Sequence, residues 1–385
     1  MEVLVKRRFT LRRVWEGVCN GGVNKPSQRV VPRRRLVASM VSVDSPRASP
    51  DSRVAAQGAD REDVMRVLVT GAAGQLGTVV CQRLLDRPEV EEVVGTDLRP
   101  LQISDDRLRF EALDVRDGDR LEELLTDCDA LVHLAFVVTA KMPREVYDAI
   151  NIGGSRTVFE TAARMGIEKV VYCSSMAAYG LVPGHPVPLV EDSPRVLQED
   201  FPYAAAKYQV EAFLDTFEKE HPTMRIARLR APVLVGARFG NPLGDLFARS
   251  LDRGWLVSPS TSPVTMVWDE DVADAVVLAL EQGAHGAFNV CAEEAAPPKE
   301  IARAAGLRWI RPPRWLLTVA GWLSPVLAKL GIGAEVDPAW RKQGRAVVVG
   351  SSAKARRELG WKPVCPTVAE VLRHYREVTT VATAA

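Results

Sequence analysis

The chain has no Cys-x-x-Cys pair: its six cysteines stand apart at 19, 81, 128, 173, 291 and 365. That spacing offers neither a zinc ribbon nor a dithiol redox motif, and it reads as reduced thiols of a cytoplasmic protein. Histidine is scarce, with five in 385 residues. His133 has no second histidine or cysteine at ligand spacing, so it is read as a buried strand residue and no metal is expected. An excess of charge is lacking too. Of 50 Lys/Arg and 49 Asp/Glu, thirteen and seven fall in residues 1–64, which leaves the remainder with five more acids than bases. A mildly acidic body gives no electrostatic footprint for nucleic acid. Long hydrophobic runs are also missing. The most apolar stretch, 315–332, carries Trp315 and Trp322 but is broken by Gly321, Pro325 and Lys329. This argues against a membrane span, which needs ~20 mostly apolar residues. Core or lid helices around a substrate are expected there, with a membrane-surface helix or a pocket for a lipid-like molecule as the alternatives.

What is present begins with Tyr203 and Lys207 in the run Tyr-Ala-Ala-Ala-Lys. Residues four apart share a helix face, so the ammonium stands on the phenol's side of the helix. Ser175 lies upstream at the end of the strand-like run Val170–Ser175. A free tyrosine has a pKa of about 10, so its use near neutral pH requires a shift of roughly 3 units, or about 4 kcal/mol. A cation at 4 Å supplies ~4 kcal/mol at an intermediate dielectric. The alternative is a surface pair on an amphipathic helix, and the surroundings decide between the two.

The run Met65–Thr70 reads as a buried strand, followed by Gly71-Ala-Ala-Gly74-Gln75-Leu76-Gly77 and a helical pattern over Thr78–Leu85. Strand, glycine turn and helix together allow a pyrophosphate to approach the backbone closely and to meet the helix N-terminus. Gly77 lets helix and strand pack together. A second strand-like run, Glu92–Thr96, ends at Asp97, twenty residues beyond Gly77. An acid there accepts hydrogen bonds from the adenosine ribose hydroxyls and repels a 2′-phosphate, which favours NAD over NADP. Asp114, at the end of a third strand, is either an acceptor for the adenine amino group or an ordinary helix N-cap ahead of Arg116. A fourth strand covers Ala130–Ala135. Helical patterns near Asp117–Thr126, Arg144–Met165 and Pro202–Glu220 complete the βαβ rhythm of an α/β protein with a parallel, doubly wound sheet.

From Met65 to about Tyr375 these residues resemble the extended short-chain dehydrogenase/reductase superfamily, in its NAD-dependent epimerase/dehydratase branch. The similarity rests on TGAAGQLG at 70–77, Asp97, HLAF at 133–136, NIGGSRTVFETAA at 151–163, SSMAAYG at 174–180, YAAAK at 203–207 and LRAPVLVG at 229–236. VWDEDVADAV at 267–276 and ARRELGWKP at 355–363 extend it. The resemblance implies a Rossmann-type domain over 65–235 and a smaller mixed substrate-binding lobe over 236–380, with some segments returning to the main domain. It implies Tyr203 as general acid/base, Lys207 as the residue that lowers its pKa and binds the nicotinamide ribose, and Ser175 as hydrogen-bond partner of the reacting oxygen. NAD would be held by Gly71, Gly74, Gln75, Leu76, Gly77, Asp97, Asp114, Val115, Leu134, Ala135, Asn151, Tyr203, Lys207 and Pro232. It also implies a homodimer through helices near 143–165 and 202–220. Members of this family typically begin at the first strand, so residues 1–64 are expected to be a disordered extension, either a misassigned start ahead of Met65, which is preferred, or a transit peptide.

The departures bear on substrate. Dehydratases carry an Asp-Glu pair where this chain has Met176-Ala177. Nucleotide-sugar epimerases commonly place asparagine where Val233 stands and arginine where Val264 stands. Two diphosphate contacts are replaced by valine, and Arg238 and Arg249 are the cations that would compensate. The expectation is a hydride transfer between NAD and a hydroxyl or carbonyl carbon of an apolar small molecule. A nucleotide-sugar 4-epimerase is the alternative reaction, and a non-catalytic NAD-binding sensor or scaffold the alternative class.

Overall fold

In the computed structural model, residues 64–138, 142–237, 250, 253–258, 260–313 and 347–384 are described. The segment 315–332, with Trp315 and Trp322, and also Trp340, Arg238, Arg249 and residues 1–63 lie outside them.

In chain order the elements are β1 (Met65–Thr70), α1 (Gln75–Leu85), β2 (Val90–Asp97), β3 (Leu108–Ala112), α2 (Gly118–Leu125), β4 (Ala130–His133), α3 (Arg144–Asp148), α4 (Gly154–Arg164), β5 (Lys169–Ser175), α5 (Pro202–Glu220) and β6 (Arg225–Ala231). The second part of the chain adds β7 (Val233–Val235), β8 (Trp255–Val257), β9 (Met266–Trp268), α6 (Asp269–Glu281), β10 (Gly286–Asn289), α7 (Pro298–Ala304), β11 (Arg308–Ile310), α8 (Ala353–Glu358) and α9 (Val368–Ala384).

Seven strands form one parallel sheet in the order β10-β6-β5-β4-β1-β2-β3. Such a sheet is covered on both faces, so its strands read as continuous apolar runs, and alternation assigns each side chain to a layer. In β1, Val67 and Val69 join the core under α1 and α6, while Leu68 joins the core under α2, α4 and α5. In β4, Ala130 and Val132 face the first layer and Leu131 the second; in β6, Ala227 and Leu229 face the first and Ile226 the second. The sheet reverses direction of growth between β1 and β4, and ligands of open α/β sheets bind at the carboxyl ends of the strands beside such a switch point.

Residues 61–385 form one compact unit. The chain leaves the sheet after β6, then α6 packs beside α1 and β10 returns as the edge strand. Two short parallel pairs, β7 with β9 and β8 with β11, build the remaining core with α7 and α9 around Trp268, Ile301, Val371 and Leu372. Among the described residues no helix is long and apolar enough to cross a membrane. Five described cysteines are all free thiols.

The helix expected over Arg144–Met165 is interrupted. A wider turn with π-type hydrogen bonding, Ala149–Gly153, separates α3 from α4. Such turns occur where a side chain is needed in a direction the regular helix does not offer. Here the side chain is Asn151, fully buried, which accepts from Val137 N at 2.8 Å and donates to Val137 O at 3.0 Å.

Candidate active site

The cofactor end is built by β1, its turn and α1. Gly71 has φ +74, and a methyl group on it would stand 2.6 Å from Ala135 N; one on Gly77 would stand 2.1 Å from Gly71 O. Neither position has room for a side chain, so the glycine turn lies closed against both α1 and the loop after β4. Helix α1 starts at Gly74 without a side-chain cap, which leaves N–H groups of its first turn directed at the mouth of the sheet, the arrangement that receives a pyrophosphate. The Gln75 and Leu76 side chains are committed to the fold. Gln75 Nε2 donates to Asp269 Oδ2 at 3.1 Å, and Leu76 is buried in the core. With those side chains engaged, backbone N–H groups are what these two residues offer a cofactor.

Asp97 closes β2 beside Thr70, accepts from Arg99 N at 3.0 Å and faces the Arg99 guanidinium at 3.5 Å. Asp114 is engaged by its neighbour: Arg116 Nη2 donates to Asp114 Oδ2 at 2.6 Å and holds that carboxylate below its usual range. The N-cap of α2 is Asp117, which accepts from Arg120 N at 3.1 Å. Asp114 is thus not the N-cap of α2; it accepts from Arg116 N at 3.0 Å and pairs with the Arg116 guanidinium. Val115 is buried beneath Gly154, and Pro232 joins β6 to β7 at the carboxyl edge of the sheet.

Under this floor runs a directional chain of hydrogen bonds. Ser155 Oγ donates to Asn151 O at 2.6 Å, so its oxygen accepts from His133 Nε2 at 3.0 Å. His133 Nδ1 is then left to accept from Thr70 Oγ1 at 2.8 Å, whose oxygen receives Ala135 N at 3.4 Å. Burial, with Lys207 adding to it, pushes the His133 pKa down to about 3, which keeps the imidazole neutral. His133 is the buried strand residue expected, and it ties β4 to the loop carrying Leu134 and Ala135. The Asn151 amide bonds both backbone groups of Val137.

The structure brings the three proton-transfer candidates together. Ser175 ends β5, is 7% exposed, and is hydrogen-bonded to the Tyr203 phenol from the first turn of α5. Its Oγ also contacts Ala231 O at 3.3 Å and receives Ala177 N at 3.1 Å. Burial raises the Tyr203 pKa to about 12, and the Ser175 bond offsets part of that rise. The buried Lys207 sends Nζ to Cys173 O at 2.7 Å and to Tyr172 Oη at 3.3 Å. Burial pulls its pKa down to about 8 against the opposing influence of Cys173 and Glu211. The ammonium is turned to a carbonyl and to aromatic faces, and Phe136 touches both side chains, 3.6 Å from Nζ to its ring centre and 5.8 Å edge-on from the Tyr203 ring.

Two features escaped the sequence. Phe136 is one. The other is Glu211, fully buried one turn beyond Lys207, where Ser174 Oγ donates to it at 2.5 Å and Arg230 Nε at 2.9 Å. Burial would raise its pKa, but Arg230 and Ser174 hold it below the ordinary range. Arg230 continues to Tyr179 Oη at 2.8 Å, which donates to Asn289 Oδ1 at 2.8 Å. The signal was an acid in phase with Tyr203 and Lys207 on one helix face.

The motifs at 267–276 and 355–363, which the sequence only placed in order, meet in space. Asp271 accepts from Val364 N at 2.6 Å and Cys365 N at 3.1 Å, and Trp361 Nε1 donates to Asp271 O at 2.7 Å. Val233 and Val264 both pack against the apolar cluster of Val235, Met266 and Trp268.

Residues 67–291 match the sequence model of the NAD-dependent epimerase/dehydratase family. A UDP-glucose 4-epimerase of Lacticaseibacillus casei is 27% identical over 337 residues, covering 78% of this chain and 92% of its own. A UDP-glucose 4-epimerase of Pisum sativum is 30% identical over 204 residues, but that match spans only 47% of this chain and 55% of the pea protein. The structure of a UDP-glucose 4-epimerase from Thermus thermophilus in complex with NAD superposes with a TM-score of 0.60 at 25% identity, over 81% of this chain and 99% of that one. With the parallel sheet, the closed glycine turn and the matched length, the chain belongs to the NAD-dependent epimerase/dehydratase family.

Proposed function

We propose that this protein is an NAD-dependent oxidoreductase that moves a hydride to or from a hydroxyl or carbonyl carbon of an apolar small molecule. The observation that carries the reading is the Ser175–Tyr203 hydrogen bond at the carboxyl end of β5, with Phe136 in contact with both Tyr203 and Lys207. Bound NAD supplies the hydride acceptor or donor. Ser175 orients the substrate oxygen, and Tyr203 Oη gives or takes the proton on that oxygen. A phenol with a raised pKa is protonated at neutral pH, which suits it to act as the acid in carbonyl reduction. Lys207 supplies the positive charge that a departing phenol proton leaves in demand. The cofactor is framed by Gly71, Gly74 and Gly77, by the backbone of Gln75 and Leu76, and by Asp97. Within this reading the protein is a cytoplasmic homodimer.

The apolar character of the substrate is supported by Val233 and Val264, which pack into the apolar cluster of the second lobe in place of groups that would bind a diphosphate. The named relatives favour a second reading, a nucleotide-sugar 4-epimerase. Both are tested by following NADH absorbance over a panel of ketones and alcohols, and epimer interconversion with UDP-sugars, in wild type and Tyr203→Phe. The expected outcome is reduction of apolar ketones, with Tyr203→Phe slower by about 10²-fold or more. Efficient UDP-sugar epimerisation with no turnover of apolar compounds would replace the first reading by the second. Equal rates in the two proteins would remove Tyr203 from the chemistry.

A further inference from the structure

Lys207 has an unusual seat for a buried cation. Among the described residues no carboxylate pairs with it directly. Its Nζ donates to a carbonyl, Cys173 O, and to the Tyr172 hydroxyl, and stands 3.6 Å from the centre of the Phe136 ring and 4.7 Å from that of Tyr172. The titratable groups around it come from three elements: the Tyr172 phenol and Cys173 thiol of β5, His133 of β4, and Tyr203 and Glu211 of α5. His133 is neutral, the phenols and thiol are protonated at neutral pH, and the charge of Glu211 is matched by Arg230 at hydrogen-bond distance. Beyond the longer-range influence of Cys173 and Glu211, the direct contacts of the ammonium are the carbonyl, the Tyr172 hydroxyl and the two ring faces, whose quadrupoles attract a desolvated cation.

Phe136 does more than cover the lysine. Its ring meets Tyr203 at an interplanar angle of 90°, so one side chain fixes the separation of the acid/base candidate from the cation. The adjacent residue, Val137, is clamped at both its N–H and its C=O by Asn151, which holds the ring-bearing loop in place. We propose that Phe136 is a positioning residue for this site: with Tyr172 it forms an aromatic seat that holds the Lys207 side chain as an ammonium beside Tyr203. The proposal builds on the reading of Tyr203 and Lys207 as the proton-transfer pair, yet its test needs no substrate.

The test is a pH titration of the Lys207 side chain by ¹H–¹³C NMR of protein carrying ¹³C-lysine, with the resonance assigned by its loss in Lys207→Met. The wild-type midpoint is expected near 8. Phe136→Leu keeps the apolar volume and removes the π face, so the midpoint falls by about one pH unit. Phe136→Tyr restores the face and returns the midpoint to within a few tenths of a unit of wild type. Should the leucine variant fail to fold, Phe136→Met makes the same comparison. An unchanged midpoint in Phe136→Leu, equal shifts in the leucine and tyrosine variants, or a rise on removing the ring, as a merely water-excluding group would give, each overturns the proposal. Failure of the Tyr203 reading would show instead as equal turnover by wild type and Tyr203→Phe.

Discussion

Asp269 stands in the first turn of α6, 3% exposed, with the Gln75 amide as a hydrogen-bond donor to it. Burial raises its pKa from 3.8 to about 6. The native state therefore binds the proton more tightly than the unfolded chain, and stability falls as pH rises from about 4 to 6. Two units correspond to about 2–3 kcal/mol. Asp269→Asn keeps the shape and cannot ionise, so it is expected to be more stable than wild type by about 2 kcal/mol at pH 8, with the difference vanishing toward pH 4. Thermal unfolding at the two pH values reads this directly, and an asparagine variant no more stable at pH 8 contradicts the burial argument. At this scale the sequence was most informative about identity and least about environment. Tyr203 and Lys207 were legible as a pair from their spacing, because helical phase is a local property, whereas the choice of Ser175 and the roles of all three came from the family resemblance. That the Tyr203 pKa rises and that Lys207 turns to Cys173 O were not legible, because both depend on burial and on groups from other elements.

At the scale of elements, hydrophobic periodicity located β1 to β5, helices α1, α2 and α5 and the span of α3 with α4, and Pro202 at the first turn of α5 set its start as expected of a residue with fixed φ and no N–H. The break between α3 and α4 was hidden, since the sequence through it keeps a helical pattern. What bends the helix there is Asn151 reaching two backbone groups of another segment. Replacing it by alanine leaves the part-buried N–H and C=O of Val137 without their partner, at ~1–3 kcal/mol for the two together. Asn151→Ala is expected to lose ~1–3 kcal/mol in urea unfolding and to show faster hydrogen exchange at residues 135–137. A variant with native exchange at Val137 would mean that the loop holds itself.

Across the whole molecule the site is held by a polar network that crosses the sheet edge. Glu211 of α5, Ser174 of β5, Arg230 of β6, Tyr179 after β5 and Asn289 of β10 are joined by hydrogen bonds of 2.5 to 2.9 Å. Arg195 adds a second cation to Glu211 at 3.1 Å. Removing Arg230 leaves the buried Glu211 with weaker compensation, from Arg195 alone among the described cations at hydrogen-bond distance, while removing both takes out the two most buried charges of the network together and leaves Arg195 its pair with Asp215. Arg230→Met alone is expected to cost about 3 kcal/mol or more, and the double variant Arg230→Met with Glu211→Leu to recover a substantial part of it. Urea midpoints of the double variant and of each single variant, Arg230→Met and Glu211→Leu, decide this, and a double variant as unstable as the sum of the single changes would show that the pair acts through packing and not through charge.

The sequence by itself determined the class of sheet, the glycine turn, the acid at the end of β2 and the helical pairing of Tyr203 with Lys207, because each is written in short-range pattern: continuous apolar strands, residues with no room for a side chain, and partners one helical turn apart. Only the tertiary structure decided what those residues face. It joined Asp271 to the backbone at 364–365, brought Glu211 under Arg230, and placed the Phe136 ring between Tyr203 and the Lys207 ammonium. The electrostatics of a buried group depend on neighbours far away in sequence, and no local pattern records which of them folding will bring close.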